Sequence, residues 1–209
     1  FQPIALITRG QMLLAVSPKL PVGSVKELID YARQNPGKLT NASSSNGSPG
    51  HVGAELFKYM TGTKIVHVPY RGGSLAINDL IAGHVDLMFE SLQSIAPFGR
   101  DGKVRALAVT GDHRSPSFPD LPTVAEAGVP GYIAATWTGV IAPAGVPRPI
   151  VDKLNAAINR ALKSEAFLDK FSKFGDEPGG GTPEEFAATI KADSAKWADV
   201  VKRSGAKLD

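Results

Sequence analysis

Residues 39–55 read Leu39-Thr40-Asn41-Ala42-Ser43-Ser44-Ser45-Asn46-Gly47-Ser48-Pro49-Gly50-His51-Val52-Gly53-Ala54-Glu55. Small hydroxyl and amide side chains are packed among glycines, and an apolar run of helical spacing follows: Val52, Leu56, Phe57, Met60. The order is strand end, polar loop, helix. Ser45, Asn46 or Ser48 can cap that helix, because each offers an oxygen to free backbone N–H groups. Pro49 suits an early helical position, where its missing N–H is no loss. Free amides and the positive end of a helix dipole then meet where no bulky side chain intrudes. That arrangement suits an anion, most simply a carboxylate or a phosphate. The same residues also serve as a plain cap and turn, so the loop alone leaves both readings open.

The surrounding composition narrows the class. The chain has 209 residues, 43% hydrophobic and 21% charged, with a net charge of +3. This is the balance of a folded protein rather than a disordered one. Its length suits one ordinary domain or two small ones. Lys and Arg are scattered, without a basic run or interleaved aromatics, which argues against nucleic acid as a partner. No apolar run reaches membrane length. With no cysteine, disulfides, thiolate metal sites and cysteine nucleophiles are excluded. Nothing in the sequence asks for a cofactor. Beginning at Phe1, without an initiator Met or a signal peptide, the chain reads as a truncated or processed product.

Further outward, residues 4–7 and 12–16 read as strands separated by a polar break at 8–11. Ser24 and Glu27 form a capping box before an apolar face of Val25, Leu28, Ile29 and Ala32. Residues 39–42, 63–70, 85–89 and 104–110 read as strands. Helices are expected at 52–59, at 75–82 with Ser74 as cap, at 92–100 and, briefly, at 123–127. Residues 132–142 have strand composition around Trp137. From Pro147 the character changes to helices at 150–162, 166–174 and 183–204. A Gly-rich linker lies at 179–183, and no strand follows except a short terminal piece near 206–208.

Alternating strands and helices from 39 to 110 predict an α/β fold on a mainly parallel sheet. Ligands of such sheets bind beyond the carboxyl ends of strands. Three polar stretches follow strands: 43–48, 70–74 and 90–91. If the strands are parallel neighbours, all three meet at one edge.

The ordered set of short motifs resembles the substrate-binding proteins of tripartite tricarboxylate transporters, also called the Bug family. It comprises Lys26-Glu27-Leu28, Asn35-Pro36-Gly37-Lys38-Leu39, Ala42-Ser43-Ser44 with Asn46-Gly47-Ser48 and His51, and His67-Val68-Pro69-Tyr70-Arg71-Gly72. Asp79-Leu80-Ile81-Ala82-Gly83, Met88-Phe89, and residues 105–110, 122–128 and 142–145 continue it. The resemblance implies a type II periplasmic-binding-protein fold, two α/β lobes joined by hinge strands. On that frame residues 1–12 are the crossing into the second lobe, 13–134 the second lobe, and 135–209 the return to the first lobe with its helices. The N-terminal units of the first lobe have no counterpart, so one complete lobe and the C-terminal helical part of the other are expected.

The resemblance also implies a function. This would be an extracytoplasmic, periplasmic receptor holding a small carboxylate and delivering it to the membrane components of a transporter. The expected ligand contacts are Ser43, Ser44, Ser45, Asn46, Gly47, Ser48, His51, Tyr70, Arg71, Gly72, Glu90 and Ser91. Ser45 and Glu90 stand where the family often has Gly and Asp. With half the cleft missing, this chain alone is expected not to bind a carboxylate tightly. Unburied apolar stripes on its C-terminal helices are expected to make it self-associate.

Two rival readings come from other classes. A serine hydrolase would use Ser43, Ser44 or Ser45 with His51 or His67 as base, but no G-x-S-x-G elbow is present. A phosphate-binding module would want a P-loop lysine, which does not follow these glycines. His51 and His67 have no ligand pair at metal-binding spacing. Trp137 and Trp197 suit a core or a lobe interface.

Overall fold

The first strand, β1 (Gln2–Gly10), is followed after a single residue, Gln11, by β2 (Met12–Val16), yet the two belong to different sheets. This switch organises the molecule. The structure, a computed structural model, describes residues 1–204 apart from the side chains of 172–174 and 204. The strand anticipated near 206–208 lies outside the described residues.

The elements after β2 are α1 (Val25–Gln34), β3 (Thr40–Ser43), α2 (Pro49–Thr61), β4 (Val66–Pro69), α3 (Gly73–Ala82), β5 (Leu87–Ser91), α4 (Leu92–Arg100) and β6 (Arg105–Val109). They build a five-stranded sheet of order β4-β3-β5-β2-β6. β3 runs parallel to β4 and β5, while β2 is antiparallel to β5 and β6. Four strands therefore share one direction, as the alternating pattern predicts, and only the strand entering from β1 opposes them. Apolar side chains fill both faces. Leu28, Phe57, Phe89 and Tyr132 lie on the α1 and α2 side; Ala42, Leu80, Met88 and Leu92 lie on the α3 and α4 side.

The chain then returns through β7 (Thr136–Ala142), α5 (Arg148–Leu162), α6 (Glu165–Phe174), β8 (Glu177–Gly180) and α7 (Pro183–Ser204). β7, β1 and β8 form an antiparallel sheet of three strands in that order. Its core is small: Ile4, Ala5 and Val151, with Ala142, Val146 and Ile158 against them.

Several local expectations change. The polar stretch at 8–11 is not a break: Thr8, Arg9 and Gly10 continue β1, because β7 on one side and β8 on the other supply ladder partners. The linker at 179–183 begins inside a strand. Glu-Pro-Gly-Gly has no strand-forming side chain, but a Cβ on Gly179 would lie 2.7 Å from the Leu6 carbonyl oxygen, an approach only glycine permits. The returning part thus holds the strand β8 as well as the strand and helices expected there. Gly72, not Ser74, caps α3. Its φ of +123° makes the turn, and no side chain caps that helix. Residues 124–128 are a turn rather than a helix, although Thr123 and Glu126 exchange capping bonds of 3.1 and 2.9 Å. Residues 132–135 are a crossing rather than strand, and Tyr132 is pinned there by donating its hydroxyl to the Gly53 carbonyl at 3.0 Å. The expected capping of α1 by Ser24 is present, its Oγ accepting the Glu27 N–H at 3.1 Å.

Candidate functional site

The carboxyl ends of β3, β4 and β5 lie side by side, and the three polar stretches that follow them are bonded together. The Tyr70 N–H donates to the Ser43 carbonyl and the Gly72 N–H to the Ser44 carbonyl, each at 2.9 Å. Glu90 reaches the other side of the second stretch: a Cβ on Gly73 would stand 3.0 Å from Glu90 Oε2. Convergence at one edge therefore follows from the strand order.

Within the first loop, Ser48 wins the competition to cap α2, accepting the His51 N–H at 3.4 Å, and Pro49 takes the first helical turn. Gly47 adopts φ +73°. Ser45 and Gly47 are exposed, Ser44 and Asn46 half-buried, Ser43 and Ser48 buried. The exposed rim of the loop is thus Ser45 and Gly47, next to the α2 N-terminus, where a partial positive charge favours an anion.

The other expected contacts divide by what already occupies them. Tyr70 donates its hydroxyl to Asp79 Oδ2 at 2.7 Å, and burial with that bond pushes its pKa up to about 12. The Gly72 amide is taken by Ser44. Arg71 is exposed, with no hydrogen bond or ion pair among the described residues. Glu90 is half-buried, and burial raises its carboxyl above the ordinary range even though Oε1 accepts the Ser91 N–H at 2.9 Å. Ser91 bonds Ser94 through their hydroxyls at 2.9 Å.

Ser43 and His67 do meet, Oγ to Nε2 at 2.7 Å, which is the pairing a serine hydrolase would need. The chemistry is wrong for a nucleophile. Ser43 is fully buried, and its hydroxyl hydrogen goes to the Ser45 carbonyl at 2.9 Å. The His67 Nε2 must then donate to Oγ, and a ring that donates there cannot accept the hydroxyl proton.

The His51 ring lies flat on that of His67, centroids 3.7 Å apart and planes 5° from parallel. His51 is buried, and its Nδ1 accepts the Gly47 N–H at 3.0 Å. Burial is the main cause lowering the pKa of both rings, His67 to about 4. His51 is therefore a support beneath the loop, not part of its exposed rim. Asn41, opposite His67 in the β3–β4 register, is buried with neither amide atom hydrogen-bonded among the described residues.

Sequence reasoning missed the residues that join the two sheets. Thr110 is fully buried between both crossings. Its Oγ1 accepts the Met12 N–H and donates to the Ala134 carbonyl, each at 2.8 Å. Its backbone adds Thr110 N–H to Met12 O at 2.9 Å and Ala134 N–H to Thr110 O at 2.8 Å. A lone Thr at a strand end carries no sequence signal for such a clasp. Across the same junction His113 meets Glu177 of β8 at 2.7 Å and Asp112 at 2.6 Å, and these bonds raise its pKa. Trp137 and Trp197, both half-buried, line a cavity of about 470 Å³ between the start of α2 and α7, with Gly47 and Pro49 at its border. Trp137 Nε1 donates to Asp193 at 2.6 Å, and its ring meets Phe186 edge-on. Both tryptophans thus sit at the junction of the sheets.

Residues 1–206 match the family described as the tripartite tricarboxylate transporter family receptor. The chain is 36% identical over 206 residues to Protein BugT of Bordetella pertussis, covering 99% of this chain and 63% of that protein. Among solved structures, it is similar to Rpa4515 of R. palustris with adipate, at 44% identity and a TM-score of 0.91, covering 98% of this chain and 69% of that one. It is likewise similar to MatC from Rhodopseudomonas palustris with bound malate, at 32% identity and a TM-score of 0.87, over 96% of this chain and 69% of that one. The chain thus spans less than two thirds of the length of BugT, and its fold is that of these two solved structures.

Proposed function

This chain belongs to the tripartite tricarboxylate transporter receptor family, and from that footing we propose that it is the larger part of a periplasmic receptor for a small organic carboxylate. The family is one of binding proteins for transport, not of enzymes. The observation that carries the reading is the edge where the loop 43–48 opens the α2 N-terminus beside the stretches 70–74 and 90–91. Solved relatives hold adipate and malate, and a carboxylate is the anion such an edge takes.

On this reading the contacts come from the exposed rim, Ser45 and Gly47, with the half-buried Ser44 and Asn46 beside them, the exposed Arg71 as the cation and Glu90 bounding the far side. Ser43, Ser48 and His51 support the rim, while Tyr70 and Gly72 fix the second loop against the first. Ser91, half-buried and bonded to Glu90 and Ser94, completes the third stretch. Burial raises the proton affinity of Glu90, so it opposes a neighbouring carboxylate less than an acid of ordinary pKa would. The receptor passes its ligand to membrane components of a tripartite transporter.

A thermal-shift screen of dicarboxylates, tricarboxylates and phosphate tests this on the protein extended to the length of its relatives. Stabilisation by adipate, malate or a related acid, with phosphate inert, is expected. Preferential stabilisation by phosphate would replace the reading with an inorganic-anion receptor.

A further inference from the structure

Two stacked histidines hold the loop 43–48 at two separate points, and the bonds fix which ring nitrogens carry protons. Gly47 donates to His51 Nδ1 at 3.0 Å, so that nitrogen is bare and the ring's proton sits on Nε2, on the side of Glu55 Oε1 3.7 Å away. Ser43 spends its only hydrogen on the Ser45 carbonyl, so His67 Nε2 donates to Ser43 Oγ. The relay runs His67 to Ser43 to Ser45, while His51 holds Gly47 directly. With Nδ1 bare, His51 is neutral in this pattern, and His67 is kept neutral as well by burial, which lowers its pKa to about 4.

We propose that His51 is a positioning residue for the loop 43–48, and that with His67 it forms a latch that lets go of Gly47 when the pair takes up a proton. A proton entering His51 lands on Nδ1, where the Gly47 N–H already points, and donor then faces donor. The rings are too close for both to be charged, so one proton suffices and the second is suppressed.

Surrounding charges favour His51 as the acceptor. Glu55 lies beside it and Lys58 is paired to Glu55, both on α2; Glu55 raises its proton affinity and Lys58 lowers it. His67 on β4 feels Lys58 and His51, both of which lower its own. On the neighbouring elements Asp86 is engaged by Thr40 at 2.7 Å, and Asp199 and Arg203 of α7 pair with each other at 2.7 Å. Because burial lowers both histidines, the latch is shut above the ordinary histidine range near 6.5 and opens only as pH falls below it. That opening would free a carboxylate rests on the function proposed above, so loop and ligand are read separately.

The experiment follows the Gly47 amide of this chain by NMR hydrogen exchange between pH 7.5 and 4.5, with the His51 ring carbons as titration markers and Leu14 in β2 as a core reference. Gly47 protection should fall at least tenfold with the His51 midpoint while Leu14 stays protected. His51→Asn, whose Oδ1 replaces the acceptor but does not titrate, should keep Gly47 protected throughout. His51→Phe should leave it unprotected at every pH. Gly47 protection indifferent to the His51 midpoint, or an equal fall in His51→Asn, overturns the latch. Adipate titrated calorimetrically into the protein extended to the length of its relatives, at both pH extremes, reads the ligand: failure to bind at either overturns the carboxylate reading while leaving the latch to the exchange data.

Discussion

Gly50, in the first turn of α2, lies directly against the carbonyl oxygen of Phe89 in β5, so close that a Cβ on Gly50 would overlap it. The obstacle is backbone, which cannot swing aside as a side chain can. Gly50→Ala must therefore lift the start of α2 off the sheet, at a cost of about 1–3 kcal/mol. Denaturant unfolding should show that loss. Gly53→Ala is the comparison: its Cβ would meet the Met12 Cε methyl at 2.9 Å, and a methionine tip can move. A Gly50→Ala protein as stable as the parent would show that this contact does not fix the helix.

Thr110 ties both crossings through one hydroxyl. Thr110→Val keeps the shape and removes the oxygen, leaving the Met12 N–H and Ala134 C=O short of a partner inside the protein. A buried group so orphaned costs about 1–3 kcal/mol, and urea titration should report a lower midpoint with an unchanged slope. Thr110→Ser retains the oxygen and should recover most of the loss.

Gly47 carries two roles at one residue. Its φ of +73° is a conformation in which an L side chain costs about 1–2 kcal/mol, and its amide is the one His51 holds. A bulky residue here should weaken carboxylate binding by the full-length protein more than tenfold, or ~1.4 kcal/mol. Isothermal calorimetry with adipate is the check, and unchanged affinity would detach this loop from the ligand.

The bond between His113 and Glu177 joins the long loop after β6 to β8, and it titrates in the sense opposite to the latch. Glu177 and then Asp112 raise the His113 pKa, so its contribution is fully present below about 6.5 and fades as pH rises through the higher folded value. Both partners are half-exposed, so the effect is small and screened by salt. His113→Gln should flatten the melting temperature between pH 6 and 8 at low ionic strength, whereas the parent declines over that range. Equal slopes in the two proteins would show that the contact carries no titrating charge.

How much of this was legible in the sequence follows from which signals are local. The Ser48-Pro49 start, the α1 cap and the alternation from residue 39 to 110 are written in neighbouring residues, and the strand order then forces three loops to one edge. β8 was illegible because Glu-Pro-Gly-Gly becomes a strand only when Leu6 stands beside Gly179. The polar end of β1 was misread for the same reason, since partners on both sides outweigh propensity. At the site, residue types pointed to the right loop but could not say which hydroxyls face outward. Ser43 looks like its neighbours in sequence and is fully buried beneath His67. Thr110 has no motif at all; its role exists only because two crossings meet there.

The C-terminal helices pose the remaining question of what covers their apolar side chains. Phe186 is buried against Trp137, and Val200 joins the larger core, so α7 is accommodated within the chain. α5 is not. Val151 is buried while Ile150 and Leu154 are about half exposed, at 50% and 42%, and Val140 and Ile141 of β7 are exposed as well. Among the described residues β7 is the outer strand of its sheet, with β1 as its one partner, so apolar side chains coincide with a strand edge left unpaired there. Such an edge pairs readily with another chain, and each large side chain left in water forgoes about 1.5–3 kcal/mol of burial. This 209-residue chain is therefore expected to self-associate as its concentration rises. Light scattering over a hundredfold concentration range should show growth in mean mass. Ile150→Glu together with Leu154→Glu should return it toward monomer, because burying either charge would outweigh the area gained. A strictly monomeric parent over that range would mean that these side chains are tolerated in water, and would remove β7 and α5 as a contact face.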